Sequence, residues 1–175
     1  EYAYKAARAI SEEIGSLGFN LDFAPVADVF SNPENKVIGK RAYSDDPAVA
    51  AEMVAEAVKG MDDSGIIPVL KHFPGHGDTL QDSHTGVAVV KNDLERLRQV
   101  EFLPFKAGIA AGADIVMTAH VMTPEITQND LPATLSKPMI DILRNELSFD
   151  GIIITDGLEM SAITALYKEE DAVVM

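Results

Sequence analysis

Gly65-Ile-Ile-Pro-Val-Leu-Lys-His-Phe-Pro-Gly-His-Gly-Asp-Thr-Leu-Gln-Asp-Ser-His-Thr85 joins two kinds of sequence without a break. Gly65 to Leu70 is a short apolar run of the kind that a buried strand makes. From Leu70 onward, glycine and proline interrupt any regular pattern, and three of the chain's four histidines fall among the next fifteen residues with two aspartates and a lysine. Titratable side chains on a glycine-rich loop at the end of a buried strand are a common way to build an active site. A polar loop whose histidines only bond to their neighbours is the plainer reading, and the density of ionisable groups argues against it.

Working outward, the same unit recurs. Ala6, Ile10, Ile14 and Leu17 repeat at helical spacing and Gly18 closes that segment, which predicts an amphipathic helix with a glycine stop. Asn20-Leu-Asp-Phe-Ala-Pro-Val-Ala-Asp28 follows, with a strand expected over Leu21 to Ala24, ended by Pro25. Asp46-Pro47 is a helix start, and Met53, Val54, Ala57, Val58 and Met61 mark the buried face of that helix. A helix is predicted over Asp93 to Ala111, broken at Pro104. A strand is predicted over Ala113 to about His120, then a helix capped by Ser136. Gly151-Ile-Ile-Ile-Thr-Asp156 is a last apolar strand, and a final helix begins near Glu159. Strands alternating with helices imply an α/β fold, a parallel sheet covered by helices.

Composition narrows the functional classes. Lys plus Arg is 14 and Asp plus Glu is 28, so the net charge is 14 − 28 = −14. Such a chain repels phosphate backbones and anionic lipid, which argues against nucleic acid and membrane surfaces as partners. With no cysteine there are no disulfides or thiolate metal sites. No apolar run is long enough to span a bilayer. No signal peptide stands at Glu1, where the sequence already reads as helix. The compartment stays open between cytoplasm and a secreted or envelope location.

One regularity points to chemistry. Asp28, His72, His120 and Asp156 each stand at or just past the C-terminal end of a predicted strand. In a parallel β/α sheet those ends share one face, where ligands bind. Asp82-Ser-His84 pairs a carboxylate with an imidazole, the arrangement that tunes a general acid/base near neutral pH. Asp156 is a carboxylate on a strand end that could act as nucleophile. Lys71, His72 and Arg41 bring hydrogen-bond donors. A carboxylate nucleophile with a separate proton donor fits glycoside cleavage with retention. The spacing His72-x3-His76-x-Asp78 with Asp82-x-His84 fits equally a zinc or manganese cluster, hence a metal-dependent hydrolase on a β/α barrel. The residues alone leave both open, along with a sugar-binding module that turns nothing over.

Lys71-His-Phe-Pro-Gly-His-Gly77 with Asp82-Ser-His84 resembles the signature of glycoside hydrolase family 3 in its β-N-acetylhexosaminidase branch. Asn20 to Asp28, Gly39-Lys-Arg-Ala-Tyr43, Met117-Thr-Ala-His-Val121 and Phe149 to Leu158 resemble further blocks of that family in order, across nearly the whole chain. The Asp-Ser-His piece points away from the family's β-glucosidases, which typically take their acid/base from a later domain. The resemblance implies that Asp156 is the nucleophile, His84 the acid/base and Asp82 its partner. It implies that Arg41, Lys71 and His72 bind an N-acetylglucosamine ring, that His76 orients its loop, and that Asp28 and His120 stand behind the site. It implies a retaining exo-β-N-acetylglucosaminidase acting on peptidoglycan-derived muropeptides or chitin-derived sugars, with no metal and no cofactor.

A complete (β/α)8 barrel has eight strands in about 250 residues. Four are expected here, resembling the family's third to sixth strands. Residues 1–175 are therefore expected to be a fragment of a single TIM-barrel catalytic domain, poorly active alone and prone to self-association through open barrel edges. Ile66, Val69, Ile115, Met117, Ile152 and Ile154 are candidates for either face of the sheet.

Overall fold

A computed structural model describes residues 1–80, 87–128 and 131–175. Among them, β1 (Leu21–Asp22), β2 (Ile67–Phe73), β4 (Ile115–Thr118) and β6 (Ile152–Thr155) form one sheet in that order, every pair parallel. Two further short strands, β3 (Ala88–Val89) and β5 (Val121–Met122), pair parallel in a second sheet that the sequence pattern does not announce.

The two faces of the main sheet carry different residues, because side chains alternate along a strand, with a register shift in β2 between Leu70 and Phe73 that leaves both in one core. Leu70, Phe73, Val116 and Ile153 belong to the large core beneath the helices. Val69, Ile115 and Met117, with Leu21 and Ile154, form a separate small cluster on the other face. Phe23, Lys71 and Asp156 follow Leu21, Val69 and Ile154 by two residues, which aims them over that second face. Of the six expected face residues, Ile66 turns to the helices, 3.6 Å from the place a Cβ on Gly15 would take, and Ile152 is exposed.

Helix α1 spans Tyr2–Ser16 and α2 spans Pro47–Asp62. The Asp46 carboxylate accepts from the Ala48 and Val49 amides and so caps α2 as expected. Along the expected stripe of α1, Ile14 is half-buried and Ala6, Ile10 and Leu17 are exposed, while Ala3 and Ser11 are buried. A glycine sets the contact with α2. Gly60 of α2 lets the helices approach until a Cβ there would lie 2.4 Å from the Tyr4 carbonyl oxygen.

Other boundaries also move. Pro25 does not end the ladder: its carbonyl accepts from Lys71, and Val26 pairs with Lys71 beyond it. Proline lacks only a donor, which an edge strand can spare. β2 runs on through Lys71 and His72, so these stand on the strand rather than in the loop. The helix expected over Asp93 to Ala111 is two, α3 (Leu94–Gln99), capped by Asp93, and α4 (Phe102–Ala110). They part at Val100 and Glu101, and Pro104 sits inside the first turn of α4, where a missing N–H costs nothing. α5 is a single turn, Pro124–Thr127. Ser136 precedes α6 (Lys137–Asp141), but its buried hydroxyl makes no cap bond. α6 passes into a π-helical turn, Ile142–Glu146. Two short helices, α7 (Ser161–Thr164) and α8 (Glu169–Val174), replace the expected last one. No described helix is long and apolar enough to cross a membrane.

Gly60→Ala tests the helix contact by its sign. Alanine should stabilise a helix interior by about 1 kcal/mol, whereas overpacking costs about 1–3 kcal/mol. Urea unfolding should show a net loss of stability. A gain would mean that α1 and α2 do not approach this closely.

Candidate active site

The strand ends do share one face. Asp156 follows β6, and its backbone N–H donates to the Thr118 carbonyl at the end of β4 (3.0 Å). With Phe23, Arg41, Lys71, His72, Met117, Thr155, Gly157 and Leu158 it lines an open cleft of about 550 Å³. Four of the six expected site residues, Arg41, Lys71, His72 and Asp156, therefore come together. Asp82 and His84 lie outside the described residues.

Each group is held differently. Arg41 ends a 3-10 turn, Gly39–Arg41, and its guanidinium donates through Nε and an Nη to the Val37 carbonyl at 3.2 and 2.9 Å. Lys71 is half-buried at the cleft wall. Burial and then Arg41 push its ammonium below the usual lysine range, against the opposite pull of Asp156, Asp22 and Asp28. Removing water makes each charge more demanding of a partner, so two cations beside Asp156 form a site ready for polar ligand groups. The Asp156 Oδ1 accepts from the Gly157 amide at 2.8 Å.

Behind the cleft lies a buried carboxylate. Asp28 is 1% exposed. Its Oδ2 accepts from His72 Nδ1 at 2.7 Å, and its Oδ1 accepts from the His76 amide at 2.6 Å. Because a carboxylate only accepts, His72 carries a proton on Nδ1 and turns its other nitrogen away from Asp28. Burial works to raise the Asp28 carboxyl, but His72 and the His76 amide hold it below the usual carboxylate range. His76 stands away from the cleft lining. Its Nδ1 lies 2.6 Å from Thr79 Oγ1, and its carbonyl accepts from Asn35 Nδ2 at 2.7 Å.

The metal reading brings together His72, His76 and Asp78 with Asp82 and His84, and the last two lie outside the described residues. The described three do not converge. Instead the two rings stand edge-on with centroids 6.2 Å apart, each with Nδ1 bonded elsewhere, and Asp78 accepts from Ser31 and Asn92. Among the described residues no three His, Cys, Asp or Glu side chains are placed to share an ion.

Sequence reasoning missed Phe23, Met117, Thr155 and Leu158 in the cleft. Phe23 was findable: it follows Leu21 by two, on the face that carries Lys71 and Asp156. Thr134, which bonds His120, had no signal, since it sits in a 3-10 turn far along the chain.

Asp28→Ala should remove the acceptor of the His72 ring N–H and of the His76 amide and destabilise the fold by about 3–5 kcal/mol at neutral pH. The folded carboxyl titrates below its unfolded value near 4, so its stabilisation is present above that value and is lost as pH falls through the folded one. Urea unfolding of both proteins at neutral and acid pH should show a gap that narrows in acid. A gap under about 1 kcal/mol, or one indifferent to pH, would contradict this role.

The family model for the glycosyl hydrolase family 3 N terminal domain matches residues 1–175. The chain is 40% identical over 185 residues to β-hexosaminidase A of Pseudoalteromonas piscicida, covering 99% of this chain and 31% of that protein. It is 45% identical over 161 residues to a β-hexosaminidase of Stenotrophomonas maltophilia (strain K279a), covering 91% of this chain and 47% of that one. Its structure superposes with a TM-score of 0.96 on a glycoside hydrolase family 3 β-N-acetylglucosaminidase from Paenibacillus sp. str. FPU-7, at 46% identity over 98% of this chain and 33% of that one. The chain thus spans from about a third to about half the length of these relatives. By its sequence, its parallel β/α sheet and this superposition, the chain belongs to glycoside hydrolase family 3, within the family's N-terminal TIM-barrel domain.

Proposed function

We propose that the protein carrying this chain is a retaining exo-β-N-acetylglucosaminidase. The observation that carries the reading is the joint placement of Asp156 with Arg41, Lys71 and His72 in one cleft on the C-terminal face of a parallel sheet. Naming of the relatives as β-hexosaminidases and a β-N-acetylglucosaminidase supports the substrate class. Muropeptides and chitin-derived sugars both present the terminal β-linked N-acetylglucosamine that such an enzyme removes.

In this reading Asp156 attacks the anomeric carbon, the glycosidic C–O bond breaks, and the leaving oxygen takes a proton from the His84 imidazolium. Water then attacks the glycosyl ester. Neutral His84 removes its proton, the sugar departs, and Asp156 is a carboxylate again. Asp82, two residues away, stabilises the imidazolium. Arg41, Lys71 and His72 hold ring hydroxyls, and Phe23 presents an apolar surface to the sugar. Fixing the acceptor and nucleophile in this way supplies several kcal/mol of the barrier reduction, on the order of 7–11 in favourable cases.

On the intact protein, with an aryl N-acetyl-β-glucosaminide, Asp156→Ala should lower kcat by about 10³-fold or more. Undiminished turnover would end the assignment. The pH profile tests the acid/base separately. A histidine starts near 6.5 and a carboxylate partner raises it, so the basic limb should follow His84. Asp82→Asn should weaken activity and move that limb to lower pH. A limb that ignores both Asp82 and His84 would remove His84 from the mechanism. Activity lost to a chelator and restored by zinc would favour the metal hydrolase instead.

A further inference from the structure

His120 is 1% exposed and does not line the cleft, yet both ring nitrogens are engaged. Nε2 lies 2.9 Å from the Gly157 carbonyl, and Nδ1 lies 2.9 Å from Thr134 Oγ1. A carbonyl can only accept, so Nε2 carries a proton. On the other side the Thr134 hydroxyl has more than one acceptor in reach. Thr134 Oγ1 is also within reach of the Ala119 and Thr118 carbonyls, at 2.9 and 3.3 Å. Those carbonyls also accept backbone N–H groups, Ala119 from Thr134 and Thr118 from Asp156, but each has a second lone pair and competes with Nδ1 for the single hydroxyl proton. With its proton on Nε2, a neutral ring presents Nδ1 as an acceptor. Burial pushes its pKa down, against the pull of the Gly157 carbonyl and of Asp156 and Glu159.

The consequence lies one residue from the proposed nucleophile. Gly157 is held at both ends of its backbone. Its carbonyl accepts from His120, and its N–H donates to Asp156 Oδ1 at 2.8 Å. With Oδ1 occupied, Oδ2 is the oxygen left for attack. The same carbonyl also accepts from the Met160 N–H at 3.1 Å, so His120 adds a second donor, on a ring fixed between Gly157 and Thr134. Without that donor the peptide keeps one partner and gains freedom to rotate away from Oδ1.

We infer that His120 is a positioning residue for Asp156: its neutral Nε2–H fixes the Gly157 backbone, and that backbone presents Asp156 with Oδ1 held and Oδ2 free to attack. The inference rests on Asp156 as nucleophile. It assigns His120 no contact with substrate, so it separates turnover from binding. A misplacement of about 1 Å at a reacting group can cost about 100-fold in rate.

The test uses the intact protein with an aryl N-acetyl-β-glucosaminide and four variants. Asp156→Ala is the control, and if it retains full turnover, both the functional reading and this inference fall. If it is inactive, His120 is judged on its own. His120→Leu should lower kcat by about 10- to 100-fold with KM within about threefold of wild type. His120→Gln, whose amide N–H reaches about where Nε2 stands, should recover most of that loss. Thr134→Val, a milder change, should lower kcat a few-fold with KM unchanged. Unaltered kcat in a folded His120→Leu, or a glutamine variant no better than leucine, would overturn the inference while leaving the glycosidase reading intact. Nitrogen-15 NMR of histidine-labelled wild-type protein gives an answer that needs no variant to fold. An Nε2–H tautomer for His120 at neutral pH supports the assignment, and an Nδ1–H tautomer or an imidazolium contradicts it.

Discussion

A single buried carboxylate ties this molecule together where it matters. Asp28 stands past the first strand of the sheet, yet its two oxygens reach the His72 ring on β2 and the His76 amide in the loop beyond. An unpaired charge in that position would be intolerable, so the two histidine segments have one arrangement that satisfies it. The polar ends of two neighbouring strands are thereby locked to the start of the histidine-rich loop. Gly77 adds a steric condition, because a Cβ there would lie 1.7 Å from the Val29 carbonyl oxygen. Charge and contact together press that loop onto the segment after β1.

From this anchor the cleft follows by strand geometry. Parallel neighbours put Lys71 and Asp156 above the same small apolar cluster of Val69, Ile115 and Met117, Lys71 lying where the β2–β4 register shifts. The apolar residues bury themselves in the lower layers, and the polar ones two positions on rise to the rim. Lys71 and Asp156 then face one space from neighbouring strand ends, and the 3-10 turn Gly39–Arg41 brings the second cation to it. A second buried imidazole, His120, repeats the device at the other wall, holding a glycine beside Asp156 through its carbonyl.

Much of this was legible in the residues. Apolar runs ending in Asp28, His72, His120 and Asp156 gave a parallel sheet with a functional face, because strand ends in such sheets cannot alternate sides. The Asp46-Pro47 helix start was read correctly because capping is local chemistry. What failed depended on partners distant in sequence. The close approach of α1 to α2 has no local signal, because it depends on Gly60 meeting Tyr4 from far along the chain. Pro25 misled because whether an N–H is needed depends on which edge of a strand is paired. The run through Lys71 and His72 looked like loop because its glycines and proline follow so closely. Thr134 was invisible because its role is defined only by the ring it touches.

The central claim is that Asp156 is the atom-bearing nucleophile of this cleft. Its most direct test is to react the intact protein with an activated fluorinated N-acetylglucosaminyl substrate whose ester is hydrolysed slowly, and then to map the labelled peptide by mass spectrometry. The account predicts one sugar per chain, esterified to Asp156. Turnover without any trapped ester, or a sugar found on another residue, would contradict it.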